Sequence, residues 1–286
     1  MTRSLSVRLS ELDVYADQQR AILATLPNRF HITSDEADVH VLAGPGDEMA
    51  SEAATLASAG AVPYLATPAH LSVDQLDAII AAAGDRPMGF ALAGAPSLPT
   101  ATLEALRWDD EQPPFIVDCV GETRKRGAGA LRTALLEQLM LLIEIAGPVT
   151  SLEALHISAR QVIVTARLAS NWTGARLTAR LSHRESLSLH AISRIMRLRV
   201  EILPYPHAVP ARVTLYDLDG ARTPAPLYQG GYRRSWIDLH DAACGLPSAS
   251  TSSTLAKLHA AVGLMTAVLG DGRAARSEAC CRADHY

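Results

Sequence analysis

At 286 residues the chain exceeds one ordinary domain core. With 48% hydrophobic and 20% charged residues it has apolar material for two packed units and too little charge for disorder. The formal net charge of -4, with one short basic run at Arg124-Lys125-Arg126, argues against a nucleic-acid surface. No apolar run reaches the roughly 18 residues of a spanning helix and no signal-peptide core opens the chain; Cys119, Cys244, Cys280 and Cys281 lack CxxC spacing, so a reduced, cytoplasmic protein without a metal site is expected.

Leu5 to Leu9 is the best first strand, followed by Ser10 to Tyr15 and a helix to about Leu26. A second strand, Arg29 to Thr33, stands so close to the next that no helix fits between them. Ala37 to Ala43 is a short apolar run bounded by acidic residues and Gly44-Pro45-Gly46, the pattern of a buried parallel strand. Asp47 to Ser58 has acidic residues in its first turn and Gly60 past its end, the signals of a helix. Val62 to Leu65 is a strand, Ser72 caps a helix over Asp74 to Ala83 that stops at Gly84, and Met88 to Ala93 is a further strand. Such alternation builds right-handed βαβ units, an α/β domain with a parallel sheet. Pro96, Pro99, Pro113 and Pro114 bracket a polar stretch that marks the crossing into a second lobe.

Leu131 to Ala146 is a helix apolar around most of its circumference, closed by Gly147-Pro148, and should be buried on several sides. Strands follow at Ser151 to Ser158, Gln161 to Ala169, Ala175 to Ser182, Leu198 to Leu203 and Arg212 to Tyr216, with turns at Asn171-Trp172-Thr173-Gly174 and Asp217-Leu218-Asp219-Gly220. This reads as an α+β lobe with an open antiparallel sheet. Thr254 to Leu269 is a last helix. The expected divisions are 1–116, 117–245, and a helix with its tail over 246–286.

Over roughly residues 37 to 220 the order of elements resembles the Gfo/Idh/MocA oxidoreductases, whose members join a Rossmann domain to an antiparallel-sheet domain and often associate through that sheet. One stretch that carries the resemblance is Asp38 to Gly60 with Tyr64-Leu65-Ala66-Thr67-Pro68 after it, where the family has Glu-Lys-Pro. The other is Gly129-Ala130-Leu131-Arg132-Thr133-Ala134-Leu135-Leu136-Glu137 running to Gly147-Pro148-Val149-Thr150, similar to the family helix that carries an aspartate and a histidine. The resemblance implies a truncated Rossmann-like parallel-sheet domain followed by an antiparallel open-sheet domain. It further implies a small-molecule ligand in the cleft between the lobes and a homodimer through the C-terminal sheet.

The family's cofactor site needs glycines after the first strand, for a tight turn and a close approach of backbone to pyrophosphate. Ser10-Glu11-Leu12-Asp13-Val14-Tyr15 has none, and Glu11 and Asp13 put carboxylates where the pyrophosphate sits. No acidic residue is placed to hold the ribose. Thr67 stands at the family's lysine, Thr133 at its aspartate and Glu137 at its histidine. Exchange of an alcohol proton needs a group that titrates near neutrality. Threonine is not one, and Glu137 becomes one only if burial raises its pKa; otherwise Glu137 and Arg132 pair with other groups along the helix. Gly44, Gly46 and Thr67 are the positions that would touch a nucleotide at the strands' carboxyl ends; a plain turn is the other reading of the two glycines. His156, His183, His190 and His207 form no ligand cluster, His31 and His40 read as strand residues, and Trp172 is either a partner anchor or packed on its own hairpin. GxSxG, Walker and HExxH motifs are absent.

The sequence thus favours a non-redox accessory or binding subunit of a small-molecule biosynthetic pathway, with no cofactor and with a partner enzyme, away from nucleic acid and membrane. The alternatives are a cofactor-independent enzyme (cyclisation, elimination or isomerisation in the cleft, with Glu137 as acid or base) and an NAD(P)-dependent oxidoreductase with an unorthodox cofactor site.

Overall fold

Two sheets share one buried helix in the computed structural model, which describes residues 3–9, 16–94, 96, 98, 113–169, 174–203, 210–225, 230–246 and 251–270. The first sheet is parallel, with β1 (Leu5–Arg8), β2 (Phe30–Ile32), β3 (Val39–Leu42), β4 (Val62–Leu65) and β5 (Gly89–Phe90) in the order β2-β1-β3-β4-β5. Helix α1 (Ala16–Leu23) joins β1 to β2. No helix joins β2 to β3. In its place Ser6 and Asp38 bond reciprocally. The Ser6 N–H and hydroxyl each donate to the Asp38 carboxylate at 2.8 Å, and the Asp38 N–H donates to the Ser6 hydroxyl at 2.9 Å. Burial works to raise the pKa of Asp38, but the two Ser6 donors and the Arg3 charge outweigh it and hold the carboxyl below its usual range.

Helix α2 (Gly46–Ala59) ends at Gly60 in the left-handed conformation, and α3 (Val73–Ala83) opens with a capping box between Ser72 and Gln75. The apolar run 88–93 pairs with β4 only at Gly89 and Phe90, so its remaining residues are buried without belonging to the ladder.

The second sheet has eight strands. They are β6 (Ile116–Thr123), β7 (Val149–Ile157), β8 (Gln161–Leu168), β9 (Ala175–Leu181), β10 (Ser186–Ile192), β11 (Arg197–Ile202), β12 (Arg212–Asp217) and β13 (Gly220–Arg222), in the order β13-β12-β11-β10-β6-β9-β8-β7. All neighbours are antiparallel except the central pair β6 and β9. Helix α4 (Ala128–Ala146) lies under this sheet and is buried almost all round, as its apolar circumference requires. One continuous core therefore runs from Met49, Leu65 and Ile79, through Leu135, Leu139 and Leu142 of α4, to Val164, Leu177, Leu189 and Val200. Helix α6 (Thr251–Leu269) closes it with Leu258, Val262 and Met265.

The opposite face of the first sheet has its own core, which residues from the far end of the chain complete. Helix α5 (Gly231–Ala243) returns to cover it, and Trp236 stacks on Tyr64 with ring centres 4.0 Å apart and meets Phe30 edge-on at 5.1 Å. Its indole N–H donates to Gln19 Oε1 at 2.8 Å. Trp236→Ala should lower the unfolding free energy by about 3–5 kcal/mol, read by urea titration; a loss below about 1 kcal/mol would show that α5 does not hold this face.

Candidate active site

The order β2-β1-β3-β4-β5 places the reversal of winding between β1 and β3, and in open parallel sheets a ligand crevice forms at the carboxyl ends of the strands beside such a reversal. Glu11 and Asp13, which the sequence set against a pyrophosphate, lie outside the described residues, as do Trp172, His207, Cys280 and Cys281. Beyond the carboxyl ends of β3, β4 and β5 the turn after β3, the 3-10 turn Pro68–His70, the segment after β5 and one face of α4 adjoin one another.

Gly44 follows β3 with φ +133°, a conformation L side chains rarely adopt, and a β-carbon there would meet nothing within 4 Å. Gly46 does a different job. A β-carbon on it would collide with the carbonyl oxygen of His70, so it is the close contact between the start of α2 and the turn after β4. Thr67 is 4% exposed and gives its hydroxyl to the sulfur of Met49 at 3.6 Å, facing the core. Thr133 bonds back to the Gly129 carbonyl at 3.0 Å. Arg132 braces two segments, donating from Nε to the Ala69 carbonyl at 3.2 Å and from Nη1 to the Gly270 carbonyl at 2.9 Å.

Glu137 is 8% exposed, and its two carboxylate oxygens accept the backbone N–H groups of Ala93 and Gly94, each at 2.8 Å. Burial pushes its pKa up to about 7, against the opposing pull of those two N–H groups. The condition set by the sequence, a carboxyl that titrates near neutrality, is met. Each oxygen already holds one donor, so the carboxylate also ties the segment after β5 to α4. Beside it, the Tyr64 hydroxyl is buried with no partner among the described residues; burial and then the Glu137 charge raise its pKa.

His70 is the residue that sequence reasoning passed over. Its Nδ1 lies 3.1 Å from the Gly44 carbonyl oxygen, which can only accept, so Nδ1 carries a proton. Its Nε2 points toward Gly129, where a β-carbon would lie 2.7 Å away. Gly129, Thr133 and Glu137 are spaced four apart on α4 and share one face, so this face runs from His70 to the segment after β5. A histidine shortly after the end of a buried parallel strand was the available signal.

Searched against protein-family models and curated proteins, the sequence matches none. Solved structures match over nearly the whole chain. UDP-N-acetylglucosamine 3-dehydrogenase GnnA from Acidithiobacillus ferrooxidans has a TM-score of 0.67 at 14% identity, covering 94% of this chain and 99% of its own. The WlbA dehydrogenase from Bordetella pertussis, in complex with NADH and UDP-GlcNAcA, gives 0.68 at 14% identity over 95% and 97%. A 3-ketoreductase from Actinomadura kijaniata, in complex with TDP-benzene and NADP, gives 0.68 at 12% identity over 93% and 97%. The fold is that of the Gfo/Idh/MocA-type dehydrogenases.

This corrects the expectation of a non-redox accessory or binding subunit without a cofactor. These three neighbours, which share the fold end to end, are two dehydrogenases and a ketoreductase, and two of them are in complex with a nicotinamide dinucleotide. The expectation rested on a glycine-free turn that carries Glu11 and Asp13, on the lack of an acidic residue for the ribose, and on Thr67, Thr133 and Glu137 at the family's chemistry positions. The crevice at the winding reversal is a property of strand order and does not depend on that turn.

The position of Glu137 has a measurable consequence. The folded protein holds this proton up to about pH 7, whereas an ordinary carboxyl loses it near 4.5. The contribution to stability is therefore full below about 4.5, falls as pH rises to about 7, and is constant above; its size is about 3 kcal/mol. Urea unfolding of the wild type should show this decline between pH 4.5 and 7.5, and Glu137→Gln should remove that part of the slope. Parallel curves for the two proteins would overturn the assignment.

Proposed function

We propose that the protein is an NAD(P)-dependent oxidoreductase that interconverts a hydroxyl and a keto group on a sugar-like small molecule. The observation that carries this reading is the full-length match to dehydrogenases, which includes the first sheet with its crevice as well as the second. When bound, a nicotinamide dinucleotide supplies hydride exchange with a carbon that bears oxygen. The rest falls to the chain's own side chains.

The described residues fit such a group at the crevice. Gly44 leaves open space beside the winding reversal, where the backbone can approach a bound dinucleotide, while Asp47 and Glu48 in the first turn of α2 disfavour a phosphate at that helix start. Gly44 is the residue that would border the dinucleotide. Glu137 fixes the segment after β5 against α4 and holds a proton near neutral pH. The sugar-like substrate class rests on the UDP-sugar and TDP ligands of the structural neighbours. Calorimetric titration with NADPH and with NADH should give a dissociation constant of about 1–100 μM for at least one; no heat with either at about 1 mM would overturn the reading.

We also propose a second copy of the chain as the partner of the open face of the second sheet. That face carries Ile116 (48% exposed) and Tyr216 (42% exposed), together with cross-strand ion pairs of Arg176 with Asp118 and Arg180 with Glu122 that settle its charges internally. A trough of about 520 Å³ runs along it, lined in part by Ile116, Asp118, Thr165 and Arg176. Sedimentation velocity should report a dimer, and Ile116→Glu should shift it to monomer; a monomeric wild type at about 50 μM, ample for a dimer of low-micromolar affinity, would sink the idea.

A further inference from the structure

On the open face of the second sheet charges are settled in pairs, Arg176 with Asp118, Arg180 with Glu122 and Arg199 with Glu201. At one end of the same sheet the pattern changes. The loop from β6 to α4 carries Arg124, Lys125 and Arg126, the turn before β8 carries Arg160, and the loop from β9 to β10 carries His183 and Arg184, all of them exposed. Backbone bonds hold these loops side by side. The Ser182 N–H donates to the Thr123 carbonyl and the Leu181 N–H to the Arg160 carbonyl, each at 2.9 Å, and Arg124 Nε donates to the His183 carbonyl at 2.8 Å. Arg124, Arg126, Arg160 and Arg184 make no ion pair among the described residues. Within these three loops Glu185 is the one carboxylate, and Glu122 nearby is taken by Arg180 and Ser186. Guanidinium groups gathered in this way repel one another, and each presents a fork that matches two oxygens of a phosphate.

The place of this patch decides which anion it meets. The loop after β6 runs into the first turn of α4, where Gly129 packs on the ring of His70. The loop after β9 runs into β10, whose Leu187 reaches the segment after β5: a β-carbon on Gly94 would lie 2.7 Å from Leu187 Cδ2. Both loops therefore stand where the two lobes meet, beyond the carboxyl ends of β4 and β5. The winding reversal lies between β1 and β3, on the far side of β4. A dinucleotide at the reversal keeps its own diphosphate there, so the patch faces the second molecule of the cleft. The first lobe shows the opposite sign next to His70, with Asp47 and Glu48 in the first turn of α2, and so directs an anionic group to the second lobe. With a formal net charge of -4 the protein as a whole disfavours a long polyanion, whereas two joined phosphates need only the patch itself.

We propose that Arg124, Arg126 and Arg184 form a subsite for a diphosphate, the one that joins a nucleoside to the sugar-like substrate, with Lys125 and Arg160 adding to the attraction. This rests on the oxidoreductase reading above. The diphosphate anchors the substrate on the second lobe, and its sugar lies toward the ends of β4 and β5.

Calorimetry on the full-length protein tests this, with UDP as the probe and uridine as its uncharged counterpart. UDP should bind with a dissociation constant below about 1 mM in about 50 mM NaCl and at least about fivefold more weakly in about 300 mM NaCl, and uridine at least about tenfold more weakly than UDP. The double variant Arg126→Glu with Arg184→Glu should lose about tenfold or more in UDP affinity and keep dinucleotide binding within about threefold. Arg194→Glu makes the same charge change in the exposed turn at the opposite end of the sheet and should shift UDP binding less than about twofold. No UDP binding, equal binding of uridine, unchanged UDP affinity in the double variant, or displacement of UDP by saturating NADH or NADPH overturns this assignment and leaves the oxidoreductase reading standing. UDP binding by a protein that takes up neither dinucleotide overturns the oxidoreductase reading and leaves the diphosphate subsite standing.

Discussion

The burial of α4 on nearly every side is the constraint on which the rest depends. A helix apolar on nearly every side cannot rest on one surface, and here it is covered by the second sheet, by α6 and by the turn after β4. Its few polar side chains are then forced into bonds with what lies above them. Arg132 finds the carbonyls of Ala69 and Gly270, and Glu137 finds the amides of Ala93 and Gly94. The same face that closes the core thereby sets the distance between the first sheet's carboxyl edge and the second lobe, so that packing and site geometry are one problem.

Much of the architecture was legible in the sequence because it rests on local signals. The capping box at Ser72, the stop at Gly60 and the all-round apolarity of α4 fall where the pattern puts them. Elements whose stability comes from distant partners were not. Strand β6 follows a proline-rich stretch and carries Asp118 and Glu122 on one face; the arginines of β9, with Ser186 of β10, make those carboxylates compatible with a sheet. Helix α5 is polar apart from a few residues, and its order comes from Trp236 meeting Tyr64 and Phe30. The overlong reading of β5 has the opposite cause, since burial makes residues 88–93 apolar whether or not they pair.

The site was half legible. The sequence left Glu137 between two readings, an acid–base group if burial raised its pKa or a residue paired to its neighbours, and in the structure it is both raised by burial and bonded to two amides. Its amide partners did not follow, because no local pattern ties α4 to a segment more than forty residues earlier. The cofactor reading failed for a different reason. Missing glycines were weighed as a missing site, although the crevice is a property of strand order, which belongs to the whole sheet and to no single turn.

The return of α5 to the first sheet also has a meaning in time. Arg29 and His240, 211 positions apart, touch, and so do Gln19 and Trp236. The opening third of the chain can form its strands early, but one of its faces stays bare until the last fifth has been made. Synthesis from the N-terminus thus leaves an apolar sheet waiting for its cover, the kind of long-range closure that slows folding and exposes intermediates to association. The lobe that begins the chain is, in the order of folding, among the last to be finished.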